Sequence, residues 1–271
     1  MSESQSSPQA PSPRNIQGVN WEGLKTLICK EVGRFLSVYT QTIIAPVITT
    51  LLFYAVFLLA LGGVTRIAGG VPFMEFLAPG LIMMAMVQNA FANTSSSLVI
   101  SKVQGNIVDV LMPPLNAAEL YLGYISGGVL RGLSVGIVCF FAMSVFVDIP
   151  IHSLTYIVCF AFLGTMMLAS LGVIGGIWSE KFDHIAAVTN FVVTPLTFLS
   201  GTFYSIDRLP EMWRDVAFFN PFFHMIDGFR YGFIGQSDSD PFLGVIVLLA
   251  INIALASISY LMLLTGYKIR T

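Results

Sequence analysis

Charge is nearly absent from six long stretches of this 271-residue chain. Phe35–Thr65, Phe76–Ser101, Ile149–Ser179, His184–Ile206 (His counted as neutral) and Pro241–Tyr267 hold no charged residue, and Leu120–Val147 holds only Arg131. Each run exceeds the ~20 apolar residues that carry a helix across a bilayer. Lipid offers the backbone no hydrogen-bond partners, so only helices and closed barrels span it, and unbroken apolar runs of this length select helices. The pattern predicts an all-α membrane protein with six transmembrane helices, over residues 40–61, 74–97, 119–147, 153–178, 184–206 and 242–266.

Outside the spans the pattern changes. Residues 1–19 are rich in Ser, Gln and Pro and are expected to form a disordered tail. They lack the apolar core of a cleaved signal peptide. Residues 20–271 read as one transmembrane domain. Trp21–Val38 is amphipathic: Trp21, Leu24, Ile28, Val32 and Phe35 share one side at helical spacing, and Glu22, Lys30, Gly33 and Arg34 share the other. Such a helix, over 21–38, is expected to lie along the membrane surface. Residues 101–118 form a loop whose middle, Val103–Met112, can make a short helix stopped by Pro113-Pro114.

Ile206–Asp240 is too long for a turn and too apolar for a solvated loop. Its uncharged run Val216–Ile226 has the length of an interfacial or re-entrant piece, about half that of a span. Asn220-Pro221 breaks this run, as an X-Pro step breaks a helix. Aromatic residues including Tyr204, Trp213, Phe219 and Tyr231 suit the headgroup level. Two short helices over 207–238 are therefore expected to dip into the outer leaflet and return. The plainer alternative is an extracellular loop packed on the spans.

Six spans place both termini on one side. With both cytoplasmic, the inside holds eight Lys and Arg residues and the outside four, Arg66, Arg208, Arg214 and Arg230. The positive-inside bias favours that orientation.

Composition excludes several functions. Charged residues make up 10% of the chain, against about 25% in soluble domains. The net charge of -2 gives no basic surface for nucleic acid. Cys29, Cys139 and Cys159 have no paired spacing, which excludes a CxxC metal or redox site. No P-loop motif and no His-Glu-x-x-His occurs, no serine sits in Gly-x-Ser-x-Gly, and the three histidines are scattered. The chain is expected to bind no cofactor and to catalyse no bond-making step.

Three features inside the spans stand out. Arg131 is an intramembrane charge, read either as an anchor that snorkels to the interface or as a pathway residue. Gly123, Gly127, Gly128, Gly132 and Gly136 make offset four-residue series, repeated by Gly172 and Gly176, which suits close helix packing within one subunit or between two. Pro46, Pro79 and Pro195 interrupt spans one, two and five.

The order of parts resembles the permease subunit of ABC-2-type exporters, over residues 20–268. The most specific stretch is Thr194–Tyr204, which contains Pro195, Ser200, Gly201 and Tyr204. It continues through Leu209-Pro210, Trp213, Asn220-Pro221 and Gly228-Phe229-Arg230-Tyr231-Gly232. Lys30-Glu31 and Phe76–Leu81 agree. The pattern looks like the bacterial branch that holds glycan, nodulation-factor and drug export permeases.

The resemblance implies a bacterial inner-membrane protein in which two permease copies, expected to be a homodimer, form the path. Two P-loop ATPase subunits would bind ATP beneath them. The short cytoplasmic helix, with Asn106, Asp109 and Leu111, would sit in a cleft on the ATPase, and Lys30, Glu31 and Arg34 would add to that contact. Relatives often carry an acidic pair in that helix, where this chain has only Asp109. Apolar spans suit a lipid-like, glycolipid, glycan-linked or amphipathic drug substrate better than a hydrophilic ion. The main rival is a secondary transporter working without an ATPase, although the expected inverted repeat is not evident. A membrane hydrolase lacks a paired nucleophile and base, and a purely structural subunit leaves the cytoplasmic helix and the re-entrant segment unexplained.

Overall fold

A computed structural model describes residues 18–60, 67–68, 70–206 and 210–269, with the side chains of 67, 68, 211 and 212 left aside. Most of the tail expected over 1–19 lies outside the described residues, as do Arg66, Arg208 and Leu209.

The described chain is almost wholly helical. Helix α1 covers Trp21–Ser37, α2 Ala45–Ala60, α3 Phe73–Val103, α4 Ile107–Leu111, α5 Ala117–Ser144 and α6 Leu154–Trp178. There follow α7 over Phe182–Val188, α8 over Thr194–Phe198, α9 over Glu211–Phe219, α10 over Pro221–Ile234 and α11 over Pro241–Thr265. A two-residue strand pair, Ile67–Ala68 with Val71–Pro72, joins α2 to α3.

Caps written into the sequence set several boundaries. Asn20 Oδ1 accepts from Gly23 N at 3.0 Å to start α1. Asn116 and Glu119 cap each other at the start of α5, Asn116 Oδ1 accepting from Glu119 N at 2.8 Å and Glu119 Oε2 from Asn116 N at 2.8 Å. Asn220 and Asp240 cap α10 and α11, each followed by proline at the first helical position. Gly235 and Gly266 close these two helices in the left-handed conformation.

Five helices are long and apolar enough to cross a membrane: Thr40–Ala60, Phe73–Val103, Ala117–Ser144, Leu154–Trp178 and Pro241–Thr265. The stretch expected as a span over 184–206 is helical only over Phe182–Phe198. At 1.5 Å per residue that run is about 25 Å long, short of the ~30 Å hydrocarbon core. The helix stops because Ser200 and Thr202 turn their hydroxyls back onto the Thr197 carbonyl, while Gly201 takes a φ of +73°.

Two of the three prolines act differently from simple kinks. Pro46 and Pro195 each sit just after a π-helical turn, Thr40–Ile44 and Thr189–Val193. Proline supplies no N–H and crowds the preceding turn, and a wider turn accommodates both effects. Pro79 lies inside a continuous α3.

α3 is the hub. In its most apolar stretch 89% of residues are buried, against 17% for the first span and 22% for α11. It packs chiefly on α6 and α5, while α10 and α11 cover α6. The glycine series serve these contacts within the one chain. A Cβ on Gly127 would stand 2.5 Å from the Glu31 Cβ, one on Gly132 2.9 Å from the Met86 carbonyl, and one on Gly172 2.6 Å from the Phe91 carbonyl. Small residues are what allow helices to pack this closely in lipid.

Candidate functional site

At one end of the bundle α1 lies against α5 and buries Leu24, Leu27, Glu31 and Phe35, while Trp21 is 71% exposed. Of the apolar side expected from the sequence, Leu24 and Phe35 are buried and Trp21 is not, so the inward face is offset towards Leu27 and Glu31. Gly123 and Gly127 are the reason, since they open a groove on α5 that receives Leu27 and Glu31. Lys30 stays exposed, but Glu31 is fully buried.

Glu31 is held from two sides. Ser97 Oγ donates to its Oε1 at 2.7 Å, and Arg34 pairs with its Oε2 at 3.1 Å. Arg34 reaches on to α3, donating to Asn93 Oδ1 at 2.9 Å, to the Asn93 carbonyl at 2.7 Å and to Ser96 Oγ at 3.3 Å. Arg34, expected on the polar side of α1, and Glu31, expected at the ATPase contact, thus fasten the helix to the hub.

Asn106 and Asp109 are exposed in and beside α4, where Val110 is buried and Leu111 half-buried. The segment after α4 is tied to α1. Asn20 N donates to Glu119 Oε1 at 2.6 Å, and Asn20 Nδ2 donates to the Pro114 carbonyl at 3.3 Å. Glu119 joins the starts of α1 and α5, a role its position in a capping pattern did not disclose. At the same end Lys102 Nζ donates to the Ile177 carbonyl at 2.6 Å. Lys268 Nζ stands 2.9 Å from Glu180 Oε1, and this bond holds the Glu180 carboxyl below its usual range.

Higher on α3 a polar face opens into two cavities. One, of about 330 Å³, is lined by Gln88, Asn89, Ser95, Ser96, Thr189 and Thr194 among others. The second, of about 290 Å³, is lined by Gln41, Thr49, Thr50, Gln88 and Asn89 with apolar neighbours. The two share Gln88 and Asn89, and each is flanked by a π-helical turn. Arg131 is half-buried, and its Nη2 donates to Asn89 Oδ1 at 2.8 Å. It stands behind the polar face instead of reaching alone towards an interface. A search for charge alone passes over these residues. The signal was the run Gln88-Asn89 and Asn93–Ser97 inside an uncharged stretch.

The remaining candidates gather around α8–α10. Tyr204, Trp213, Asn220 and Pro221 line one cavity of about 460 Å³, closed by Leu196, Leu199, Val216, Ala217 and Phe219. Pro195 lies at the start of α8, and Pro210 precedes α9. Asn220 separates α9 from α10, accepting from Phe222 N at 3.0 Å and donating to the Leu196 carbonyl at 3.0 Å.

Arg230, Ser200 and Gly201 do not line that cavity. The fully buried Arg230 donates to the Gly201 carbonyl at 2.7 Å and the Phe76 carbonyl at 3.3 Å, and lies 3.7 Å over the Phe76 ring. Asp227, one turn earlier, accepts from Asp238 N, Ser239 N and Ser239 Oγ at 2.9–3.0 Å, and Asp238 accepts from Ser205 and Ile206 N. These bonds tie Ser205 and Ile206 to Asp238, and Asp238 and Ser239 to α10. Among the described residues no cluster of three or more His, Cys, Asp or Glu could hold a metal ion.

The profile of the family described as ABC-2 type transporter matches residues 22–234. The chain is 39% identical to the inner membrane transport permease YadH of Escherichia coli K12, over 80% of this chain and 85% of that protein. It is 25% identical to nodulation protein J of Rhizobium leguminosarum bv. viciae, over 62% of this chain and 65% of the relative.

Proposed function

Because the chain belongs to the ABC-2 type transporter family, we propose that it is the inner-membrane permease of an ATP-driven exporter. ATP is bound and hydrolysed on a separate P-loop ATPase, present in two copies, and a second copy of this chain completes the path. In this reading Phe182–Phe198 is the fifth of six crossings, shortened and widened at its π-helical turn, and α9–α10 re-enter from the outer leaflet with both termini cytoplasmic.

One observation carries the reading. The amphipathic helix α1 is bonded through Glu31 and Arg34 to α3 at Asn93, Ser96 and Ser97, and Ser96 also lines a cavity. A push on α1 or α4 from an ATPase therefore has a direct route into the polar face. Amides and hydroxyls on that face suit an uncharged polar group, and the exposed apolar sides of α2 and α11 suit attached hydrocarbon. The substrate is thus an amphipathic molecule such as a glycolipid or a drug, passed along α2, α3 and α7–α8.

The test is to purify the tagged chain gently from its native membrane and identify what accompanies it. About one P-loop ATPase per permease is the expected result. Oligomers of this chain without any ATPase, before and after crosslinking, would overturn the reading in favour of a secondary transporter.

A further inference from the structure

A fourth cavity lies at the opposite end of the bundle, away from α1 and α4. Its volume is about 750 Å³, and it opens between α2, the start of α3 and the segment after α5. Leu51, Leu58, Met74 and Phe146 supply its apolar wall. Two carboxylates also line it, Glu75 in the first turn of α3 and Asp148 beyond α5. Glu75 is half-buried and Asp148 exposed.

Among the described residues no cation pairs with either carboxylate. Tyr54 points to a ligand independently of them. Only 4% of it is exposed, it lines the cavity, and its hydroxyl has no hydrogen-bond partner among the described residues. The ring is enclosed but the hydroxyl oxygen itself stays accessible, so it is open to a ligand in the cavity.

Glu75 has a structural use, since an acidic side chain in the first turn complements the helix N-terminus. That accounts for neither Asp148 nor the unpartnered hydroxyl. Binding pockets of about 300–1,000 Å³ are mostly apolar with a few convergent polar groups, and this cavity has that form. Its polar groups are acidic or aromatic, and both kinds attract an organic cation. A metal ion is disfavoured because only two carboxylates are offered against a largely hydrocarbon wall.

We propose that this cavity is a binding site for amphipathic cations, molecules with an ammonium head and a single hydrocarbon body. The head sits between Glu75 and Asp148 and faces Tyr54, while the body lies along Leu51, Leu58 and Met74. The exposed Ile48 and Leu52 at its side let a ligand enter from the lipid. The site is separate from the polar face of α3, and binding requires neither ATP nor an ATPase. Its failure and the failure of the exporter reading are therefore distinguishable.

The test uses the full chain in nanodiscs of zwitterionic lipid and a photoreactive dodecyltrimethylammonium probe. Crosslinks should concentrate at residues 48–58, 72–75 and 146–148 and should saturate. Unlabelled dodecyltrimethylammonium should compete, and dodecyl sulfate should not. Glu75→Gln with Asp148→Asn should cut labelling by about tenfold. Leu51→Trp, which keeps both carboxylates and fills the wall, should cut it as well. Crosslinks spread evenly over all lipid-facing helices, equal competition by dodecyl sulfate, or undiminished labelling of both variants would each overturn the proposal.

Discussion

Buried at the seam of α1, α3 and α5, Glu31 is bonded by Ser97 and Arg34, and its loss would strand the half-exposed Arg34 against Asn93 and Ser96. Removing one partner of a buried pair costs more than removing a surface charge, roughly 3 kcal/mol in well-shielded cases. Glu31→Leu should therefore lower the detergent melting temperature, and Glu31→Gln should do so less because Ser97 keeps an acceptor. Thermal unfolding of the two variants checks the order. Arg131→Leu should insert and dimerise normally but reduce transport, because Asn89 loses its donor; uptake into inverted vesicles measures this. The Glu180–Lys268 bond joins the end of α11 to the end of α6. Glu180 has a lowered pKa and Lys268 a raised one, so the tether is complete at neutral pH. It is lost as pH falls through the lowered Glu180 value and again as pH rises through the raised Lys268 value. Trp178 fluorescence, with Trp21 and Trp213 replaced by Phe, should report both transitions.

Helices were the most legible level of the fold, because a bilayer leaves long uncharged runs no other structure. The ends of the five long helices fall within six residues of those expected over 40–61, 74–97, 119–147, 153–178 and 242–266. The break at Asn220-Pro221 was readable for a different reason, since proline and a capping Asn act locally. The inward face of α1 was readable only in part. Its own periodicity favours Trp21, Leu24, Ile28, Val32 and Phe35; Leu24 and Phe35 are buried as expected, but only the groove over Gly123 and Gly127 brings in Leu27 and Glu31 while Trp21 stays exposed. The π-helical turns escaped for a related reason, as proline announces an interruption without specifying its form. Gly127→Leu should dislodge α1 at a cost of about 1–3 kcal/mol, as overpacking does, and protease should then cut near residues 20–38 sooner. Asp109→Lys should leave insertion intact and weaken ATPase binding, measured by pull-down. In the α9–α10 unit Phe219 is 90% exposed and Phe222 buried, so Phe219→Cys should label readily with maleimide and Phe222→Cys poorly.

At the scale of the molecule, burial divides the helices by task. α3 is the enclosed hub that carries the polar face, and α2 and α11 leave most of their surface exposed. The resemblance to the family was legible in the motif around Pro195–Tyr204 and Asn220–Arg230, but a motif does not state what each of its side chains bonds to. Arg230 and Asn220 bond backbone carbonyls and hold the segment in shape, while the polar face lies elsewhere, on Gln88 and Asn89. The central claim is that α1 transmits the ATPase state to this face through Glu31 and Arg34. It is tested most directly in the reconstituted complex, with Cys29, Cys139 and Cys159 replaced and one cysteine placed at Gln88. Maleimide labelling is then compared without nucleotide and with ATP trapped by vanadate. Labelling should change at least several-fold between the two states, and the change should disappear with Glu31→Ala and Arg34→Leu. Labelling that stays constant, or a nucleotide-dependent change that survives both substitutions, would contradict the account.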